Sequence, residues 1–335
     1  MKLGLTFYSV LKMPIEDIIV CAKRAEEAGF SHISFAESFY RDVSALASSV
    51  ACNTSRIKLG TSVYPTSTRT PFQVAMASAT LDEISNGRLG FVGLGVGYKA
   101  RIERYFGTRV DKSTARMLEY IQVVRGLLSG EPFSYAGKNF NFNDFPPLVP
   151  KKLDIPILLG SSAPNMLRLS GREADGVVLN SIGTKEYFEY ALSMIGQGAR
   201  EAGKTIGDLE IGASIVVSVA DRHEDAVAAA RPDVLFYLLY PELDPVISKT
   251  RFVERIEAIR QANSKGNSRL ALSLVSDEMV EDLAVVGTPS ECRTKMKEMT
   301  KHRITLSIVR VSVQPFSEKQ RKEVFLRTIN ALANL

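Results

Sequence analysis

Tryptophan is absent from the 335 residues, and cysteine and histidine occur only three times each. Cys21, Cys52 and Cys292 lie far apart in helix-like segments, without a CxxC motif or the Cys/His spacing of a metal site. We therefore expect reduced core thiols and no metal centre. His32 would begin a strand, and we expect it, like the other two histidines, at the surface or in packing.

Long apolar runs and blocks of like charge are also missing. No segment approaches the roughly 18 apolar residues of a membrane span, and strand-like residues 2–10 leave no room for a signal peptide. The sequence thus predicts a cytoplasmic protein that does not bind a membrane. A net charge of +5 without a Lys/Arg block gives no support to nucleic-acid binding, but it suits small anionic ligands.

Several catalytic motifs are absent. The chain has no HExxH, GxSxG or GxxxxGK[ST], and it lacks the two strand-end carboxylates that a glycosidase needs. Residues 95–100 fit G-x-G-x-x-A, but they follow a fourth strand and no strand-end acid comes about twenty residues later, which argues against a Rossmann domain. Cofactor chemistry is favoured over hydrolysis.

Residues 57–97 read as one complete β-α-β unit. A β-branched strand ends in small residues, Pro71 suits the first turn of a helix, and Asn86-Gly87 stops that helix before a strand with glycines at its end. Such a connection implies parallel strands.

The same alternation recurs along the whole chain. Strands are predicted at 3–7, 33–36, 57–63, 89–94, 157–159, 176–179, 209–219 and 305–311, with helices between them. Eight β-α units at this length predict an α/β fold, a (β/α)8 TIM barrel, as a single domain over 1–335. Segments of about 131–156, with a hairpin, and 231–265 are expected to be insertions after strands 4 and 7. Either could line a pocket or a subunit interface, or only pack over a barrel edge.

In a TIM barrel the chemistry lies at the carboxyl ends of the strands. Strand one is expected to end at Phe7-Tyr8-Ser9 and strand two at Glu37-Ser38. The loop after strand five, Ser161, Ser162, Ala163, Pro164, Asn165 and Met166, leads small residues into a helix amino terminus, which favours phosphate.

Several motifs resemble the bacterial-luciferase-like superfamily of flavin and deazaflavin enzymes. Residues 81–89 (LDEISNGRL) followed by 93–97 (GLGVG) look like its signature, and residues 60–71 and 159–167 resemble the deazaflavin-dependent methylenetetrahydromethanopterin reductases. The resemblance extends over the whole chain and is strongest from 32 to 181.

The resemblance implies a cofactor site. A bulge after strand three, with a non-prolyl cis bond matching Ser62-Val63, would back the cofactor ring, and the strand-five loop would hold the phosphate. The implied cofactor-binding residues are Thr61, Ser62, Val63, Gly95, Gly97, Ser161, Ser162, Ala163, Pro164, Asn165, Met166 and Asn180. A role for Ser161 and Ser162 in turn formation alone is the other interpretation.

The implied catalytic residues are Glu37, Ser38 and Tyr98. The family commonly has an acid and a histidine where this chain has Glu37-Ser38, so Glu37 is the acid/base candidate; alternatively it forms an ion pair with Arg41 or another strand-end cation. Tyr98 could donate a proton, or could be a solvated rim residue. Thr6 and Gly97 replace the usual acids of the pterin reductases, which argues against the pterin reaction.

We therefore expect an oxidoreductase, similar to the methylenetetrahydromethanopterin reductases, that transfers hydride between coenzyme F420 and a small organic substrate. An FMN-dependent luciferase-like monooxygenase is the first alternative, and a non-catalytic flavin- or deazaflavin-binding protein is the second. The resemblance also implies a homodimer or higher homo-oligomer.

Overall fold

The computed structural model describes residues 2–8, 11–111 and 113–335; Ser9, the expected end of strand one, lies outside them. The strands in these ranges are β1 (Lys2–Tyr8), β2 (His32–Ala36), β3 (Lys58–Thr61), β4 (Tyr64–Pro65), β5 (Leu89–Gly95), β6 (Phe133–Ala136), β7 (Asn141–Phe145), β8 (Ile157–Gly160), β9 (Gly176–Leu179), β10 (Glu210–Val219), β11 (Val285–Gly287) and β12 (Leu306–Val311).

The α-helices surround these strands. They are α1 (Ile15–Glu27), α2 (Val43–Ala51), α3 (Pro71–Ile84), α4 (Lys99–Phe106), α5 (Thr114–Leu127), α6 (Pro164–Glu173), α7 (Lys185–Glu201), α8 (His223–Leu238), α9 (Asp244–Ile247), α10 (Val253–Ser264), α11 (Ser268–Leu274), α12 (Asp277–Leu283), α13 (Pro289–Glu298) and α14 (Glu318–Ala331). None of the helices in the described ranges is long and apolar enough to cross a membrane.

Eight parallel strands close into a barrel. Their order is β1-β2-β3-β5-β8-β9-β10-β12, and β12 pairs with β1 again. All eight lie where the sequence predicts them, so the expected (β/α)8 TIM barrel is confirmed. The short β4 continues the chain after β3 and pairs with β5, while β11, which the sequence did not predict, pairs with the end of β10.

The helix boundaries follow local sequence signals. Thr70 and Gln73 form a capping box at the start of α3, Pro71 takes its first position, and Asn86 and Gly87 follow its end with positive φ. Ser317 caps α14 in the same way. The sequence-based boundaries are accurate here because capping depends on residues only three positions apart.

Side chains fill the barrel interior. Five residues pointing inward from four strands form a separate apolar cluster: Phe91, Leu158, Val178, Leu306 and Ile308. Because side chains alternate along a strand, the inward row of β12 continues from Leu306 and Ile308 to Arg310, and that of β1 runs through Thr6 to Tyr8. The apolar cluster therefore supports a polar layer at the carboxyl ends.

The backbones of α6 and α7 are in contact. A Cβ atom on Gly198 would lie 1.8 Å from the carbonyl oxygen of Arg168, and one on Gly171 would lie 2.0 Å from that of Ile195. These two glycines therefore bring α6, which follows the strand-five loop, close against its neighbour.

The two segments expected as insertions occupy different places. The β6-β7 hairpin packs Phe142 and Phe145 against Phe72 of α3, on the outside of the barrel. The segment after β10 forms α8 to α12, and its Phe236 and Tyr237 line a cavity at the barrel mouth. The hairpin therefore packs over an edge of the barrel, and part of the second segment lines the cavity.

Candidate active site

A cavity of about 300 Å³ opens at the carboxyl ends of the barrel strands. It brings together most of the predicted site residues: Glu37, Ser38, Ser62, Val63, Gly95, Gly97, Tyr98, Ser161, Ser162, Ala163, Met166 and Asn180. Three predicted residues, Thr61, Pro164 and Asn165, are not among those that line it.

The chain forms a bulge between β3 and β4. The Ser62-Val63 peptide bond is cis, as the resemblance implies. The bulge is tied to β2, because the Ser62 N–H donates to the Phe35 carbonyl at 2.8 Å and the Glu37 N–H donates to the Val63 carbonyl at 3.3 Å. Its conformation is thus supported by the neighbouring strand.

Two glycines make room for the Val63 side chain. A Cβ atom on Gly160 would lie 2.6 Å from Val63 Cγ1, and one on Gly95 would lie 2.7 Å from Val63 Cγ2. Cβ atoms in proteins do not approach other atoms this closely. Gly95 and Gly160 therefore have to be glycine as long as the Val63 side chain lies between them. The resemblance implies that Gly95 binds the cofactor. In the structure Gly95 lies against the Val63 side chain of the bulge.

Three hydroxyl groups meet beneath the bulge. Ser62 Oγ donates to Ser34 Oγ at 2.9 Å and lies 3.3 Å from Thr6 Oγ1. Thr61 does not take part, because its buried hydroxyl bonds both the N–H and the carbonyl of Gly93. The Thr61 side chain thus links β3 to β5.

Glu37 forms an ion pair at the cavity wall. Arg69 donates three hydrogen bonds of 2.7 to 3.0 Å to its carboxylate and also bonds Asp42. Burial opposes the charge of Arg69, but its bonds to Glu37 and Asp42 outweigh this and raise the Arg69 pKa. The strand-end ion pair is thus present, though not with Arg41, which donates to the carbonyls of Leu11 and Met13 instead.

Tyr98 is half-buried against the segment after β10. Its ring stacks on Tyr240 with centroids 4.2 Å apart, and its hydroxyl accepts a hydrogen bond from Asn180 at 3.3 Å. Burial raises the pKa of Tyr98, so its hydroxyl keeps its proton at neutral pH. Tyr240 covers one face of the Tyr98 ring, and the residue as a whole is partly exposed at the cavity. Ser38 accepts a hydrogen bond from Arg101, which lies over the Phe236 ring.

The amino terminus of α6 carries the chemistry of an anion site. Its cap residue, Ala163, supplies no side-chain acceptor, so the first N–H groups of the helix have no capping partner. Ser161 Oγ accepts from the Ala163 N–H, and Ser162 Oγ donates to the Glu242 carbonyl at 2.7 Å. Pro164 and Asn165 are exposed on the first helical turn, where backbone groups rather than side chains can face an anion.

The far wall of the cavity was missed by sequence analysis. The guanidinium carbon of Arg310 lies 3.9 Å from the Tyr8 ring centroid and 5.3 Å from that of Tyr237. The sequence signal for this wall was Arg310 itself, a charged residue inside the otherwise apolar strand β12. Burial raises the pKa of Tyr8, so its hydroxyl also stays protonated.

The residues that are rare in the chain lie away from the cavity. Cys21 and Cys292 are buried as expected, but Cys52 is exposed, so its prediction as a core thiol is wrong. His32 is buried at the start of β2, at the opposite end of the barrel. No group of three potential metal ligands occurs within the described part of the chain.

Two known proteins are similar to the chain over most of its length. A 5,10-methylenetetrahydromethanopterin reductase of Methanolobus tindarius is 30% identical over 325 residues, covering 96% of this chain and 98% of the relative. A putative coenzyme F420-dependent oxidoreductase of Mycobacterium tuberculosis is 28% identical over 332 residues, covering 92% and 94%.

Solved structures agree with this picture. The coenzyme F420-dependent tetrahydromethanopterin reductase of Methanopyrus kandleri superposes with a TM-score of 0.83 at 26% identity, covering 99% of this chain and 97% of that one. An F420-dependent secondary alcohol dehydrogenase gives 0.76 at 19% identity, covering 99% and 98%, which shows the shared fold. Residues 4–306 match the Luciferase-like monooxygenase family, so the chain belongs to this family.

Proposed function

We propose that the protein is an oxidoreductase that transfers hydride between coenzyme F420 and a small organic substrate. The observation that carries this proposal is the position of two features in one cavity: the Ser62-Val63 bulge on one wall and the uncapped start of α6 beside it. A flat ring against the bulge and an anionic group at the helix start fit these two surfaces. The relatives named as F420-dependent support the choice of cofactor.

Each part of the cavity has a proposed task. Bound F420 would supply two-electron hydride chemistry, and the protein would bind, orient and shield its ring. The bulge residues Ser62 and Val63 would back the ring, and Ser161 with the first N–H groups of α6 would hold the phosphate. Asn180 would fix the neighbouring Tyr98 hydroxyl through the hydrogen bond between them.

Acid–base chemistry is proposed for Tyr98. Its protonated hydroxyl lines the cavity, where it can donate to a substrate oxygen. Glu37, the sequence-based candidate, accepts three hydrogen bonds from Arg69, and its backbone N–H supports the bulge. We therefore propose that Glu37 and the adjacent Ser38 act as positioning residues. This revises the proton-transfer role first considered for Glu37.

The substrate is proposed to differ from the pterin of the reductases. Thr6 and Gly97 occupy positions where those enzymes usually carry acids, and Thr6 belongs to the neutral hydroxyl cluster. A substrate that needs no carboxylate at these two positions fits the cavity better.

Paired fluorescence titrations of the purified protein with F420 and with FMN test the proposal. Tight F420 binding, weak FMN binding and hydride transfer in a panel of alcohols, carbonyls and enones are the expected results. Preference for FMN together with reaction of the reduced cofactor with dioxygen would favour the monooxygenase alternative. F420 binding without hydride transfer would favour a non-catalytic binding protein.

We also propose the domain organisation, the cellular location and the assembly of the protein. We propose one domain over 1–335, because β12 closes the barrel against β1 and α14 packs on α1. A cytoplasmic location and a homodimer or higher homo-oligomer are proposed by likeness to the family. Size-exclusion chromatography with light scattering tests the assembly.

A further inference from the structure

We infer that Arg310 is the anchor for an anionic head group of the substrate, and that the substrate class is a small apolar molecule with one carboxylate. The inference deepens the proposed function and rests on it in one respect: the cofactor occupies the bulge side of the cavity, leaving the far wall to the substrate.

The barrel topology places Arg310 away from the bulge. β10 is the fourth strand from β3 in either direction around the barrel, so it stands directly opposite, and β12 is next to β10. Arg310 continues the inward row of β12 above Ile308, and it lines the cavity. A molecule between a ring at the bulge and this wall would meet the guanidinium.

The hydrogen-bonding capacity of Arg310 is unused among the described residues. Its side chain is only 10% exposed, its Nε is buried without a partner, and no hydrogen bond from its other nitrogens to a described residue is present. Its nearest carboxylate oxygen, Asp233 Oδ1, is 3.7 Å from Nη2, beyond hydrogen-bond distance. A guanidinium offers five donors, so this wall holds several that a ligand can satisfy.

Asp233 balances the charge without using those donors. Its Oδ2 accepts from Ser312 Oγ at 2.6 Å, and its Oδ1 accepts from Gln314 Nε2 at 3.3 Å. The adjacent Tyr8 hydroxyl, 8% exposed as a residue, is a second buried polar group without a partner among the described residues. Buried donors are normally satisfied, so two unsatisfied groups at one cavity wall indicate a ligand group there.

The remaining lining determines the rest of the substrate. Much of the remaining lining is apolar, with Ile102, Met166, Val178 and Phe236 among the side chains that bound the cavity. The other lining arginine, Arg101, lies at the mouth on aromatic rings and bonds Ser38. A planar guanidinium pairs with a carboxylate through two parallel hydrogen bonds, which selects an acid over a neutral amide of the same shape.

Matched acid and amide pairs test the inference: acetate and acetamide, hexanoate and hexanamide, benzoate and benzamide. Each compound is titrated calorimetrically into the F420-loaded protein and into the cofactor-free protein. We expect at least one acid to bind about tenfold or more tightly than its amide, and Arg310→Gln to remove that preference. Arg310→Lys, which keeps the charge beside Asp233, should keep only part of it.

Arg101→Gln is the matched control and should retain the preference for the acid. The inference is overturned if no pair shows a preference, if Arg310→Gln retains it, or if Arg101→Gln is the variant that loses it. Should Arg310→Gln fail to fold, a full preference in Arg310→Lys would overturn it equally. A separate F420 titration keeps the two proposals distinguishable, because failure to bind F420 rejects the function while the acid preference of the cofactor-free protein still tests Arg310.

Discussion

Glu37 and Arg69 are 32 positions apart in the chain, yet three hydrogen bonds join their side chains at the cavity wall. The Glu37 side chain is 7% exposed and that of Arg69 is 16% exposed, so the pair is largely removed from water. The Glu37 N–H also donates to the Val63 carbonyl of the bulge. The ion pair is therefore connected to the surface proposed to back the cofactor ring.

Removing Arg69 should therefore destabilise the protein strongly. We expect Arg69→Met to lower the free energy of unfolding by about 3 kcal/mol, because it leaves a buried carboxylate without its partner. The double variant Glu37→Met with Arg69→Met should recover part of the loss. Urea unfolding of Arg69→Met, of Glu37→Met and of the double variant measures the coupling, and additive effects would contradict a direct interaction.

Gly160 should be intolerant of a side chain because of Val63. We expect Gly160→Ala to displace the bulge, to cost about 1 to 3 kcal/mol of stability and to weaken F420 binding. Adding Val63→Ala removes the side chain with which the new Cβ would collide. The double variant should then bind F420 as the Val63→Ala single variant does; binding as weak as in Gly160→Ala would reject this steric explanation.

Tyr98→Phe should separate proton donation from cofactor binding. Loss of the hydroxyl is expected to reduce kcat by about 100-fold or more while the F420 dissociation constant changes little, because the stack on Tyr240 remains. Tyr40→Phe, at an exposed tyrosine, is the control. Equal kcat values for the two variants would remove Tyr98 from the chemistry.

Two glycines of α7 should respond to alanine in opposite directions. Gly198→Ala would place a Cβ 1.8 Å from the Arg168 carbonyl oxygen, so α6 must move and stability should fall. At Gly196 the nearest atom to a new Cβ is 3.6 Å away, and alanine favours a helix over glycine by about 0.5 to 1 kcal/mol. Thermal unfolding of both variants measures the two signs.

His32 should make stability dependent on pH. Burial, with Lys58 and Lys2 nearby, lowers its pKa from 6.5 to about 4. Between pH 6.5 and 4 the His32 side chain is protonated in the unfolded chain but not in the folded chain. Stability should therefore fall as the pH falls from 6.5 to 4, and His32→Gln should reduce that dependence.

His223 serves as the comparison of opposite sign. Hydrogen bonds to Glu281 and Glu291 raise its pKa. Its contribution is therefore complete below the unfolded value of 6.5 and is lost as the pH rises through the raised value. Replacing it by glutamine should therefore lower stability below pH 6.5 and have little effect above the raised pKa. An effect of His223→Gln confined to pH values above the raised pKa would contradict this assignment.

Sequence patterns predicted the barrel and one side of the cavity. Strand ends, caps and the Ser161 to Met166 loop depend on residues close together in the chain, so periodicity and resemblance were sufficient for them. The partner of Glu37 was not predictable in this way, because the approach of Arg69 depends on how the loop after β4 returns to β2. Arg310 was not predicted because a strand rich in Val and Ile indicates only that the strand is buried. The pattern does not show which groups a charged side chain of that strand contacts.

The opposite placement of β3 and β10 divides the cavity between two parts of the chain. The bulge and the α6 loop come from the first 170 residues, whereas the wall with Arg310 and Tyr237 comes from β10 onward. Substitutions in the later part can therefore alter which molecule is accepted while the earlier part keeps its geometry. In evolutionary terms, the two halves of the site can diverge at separate rates.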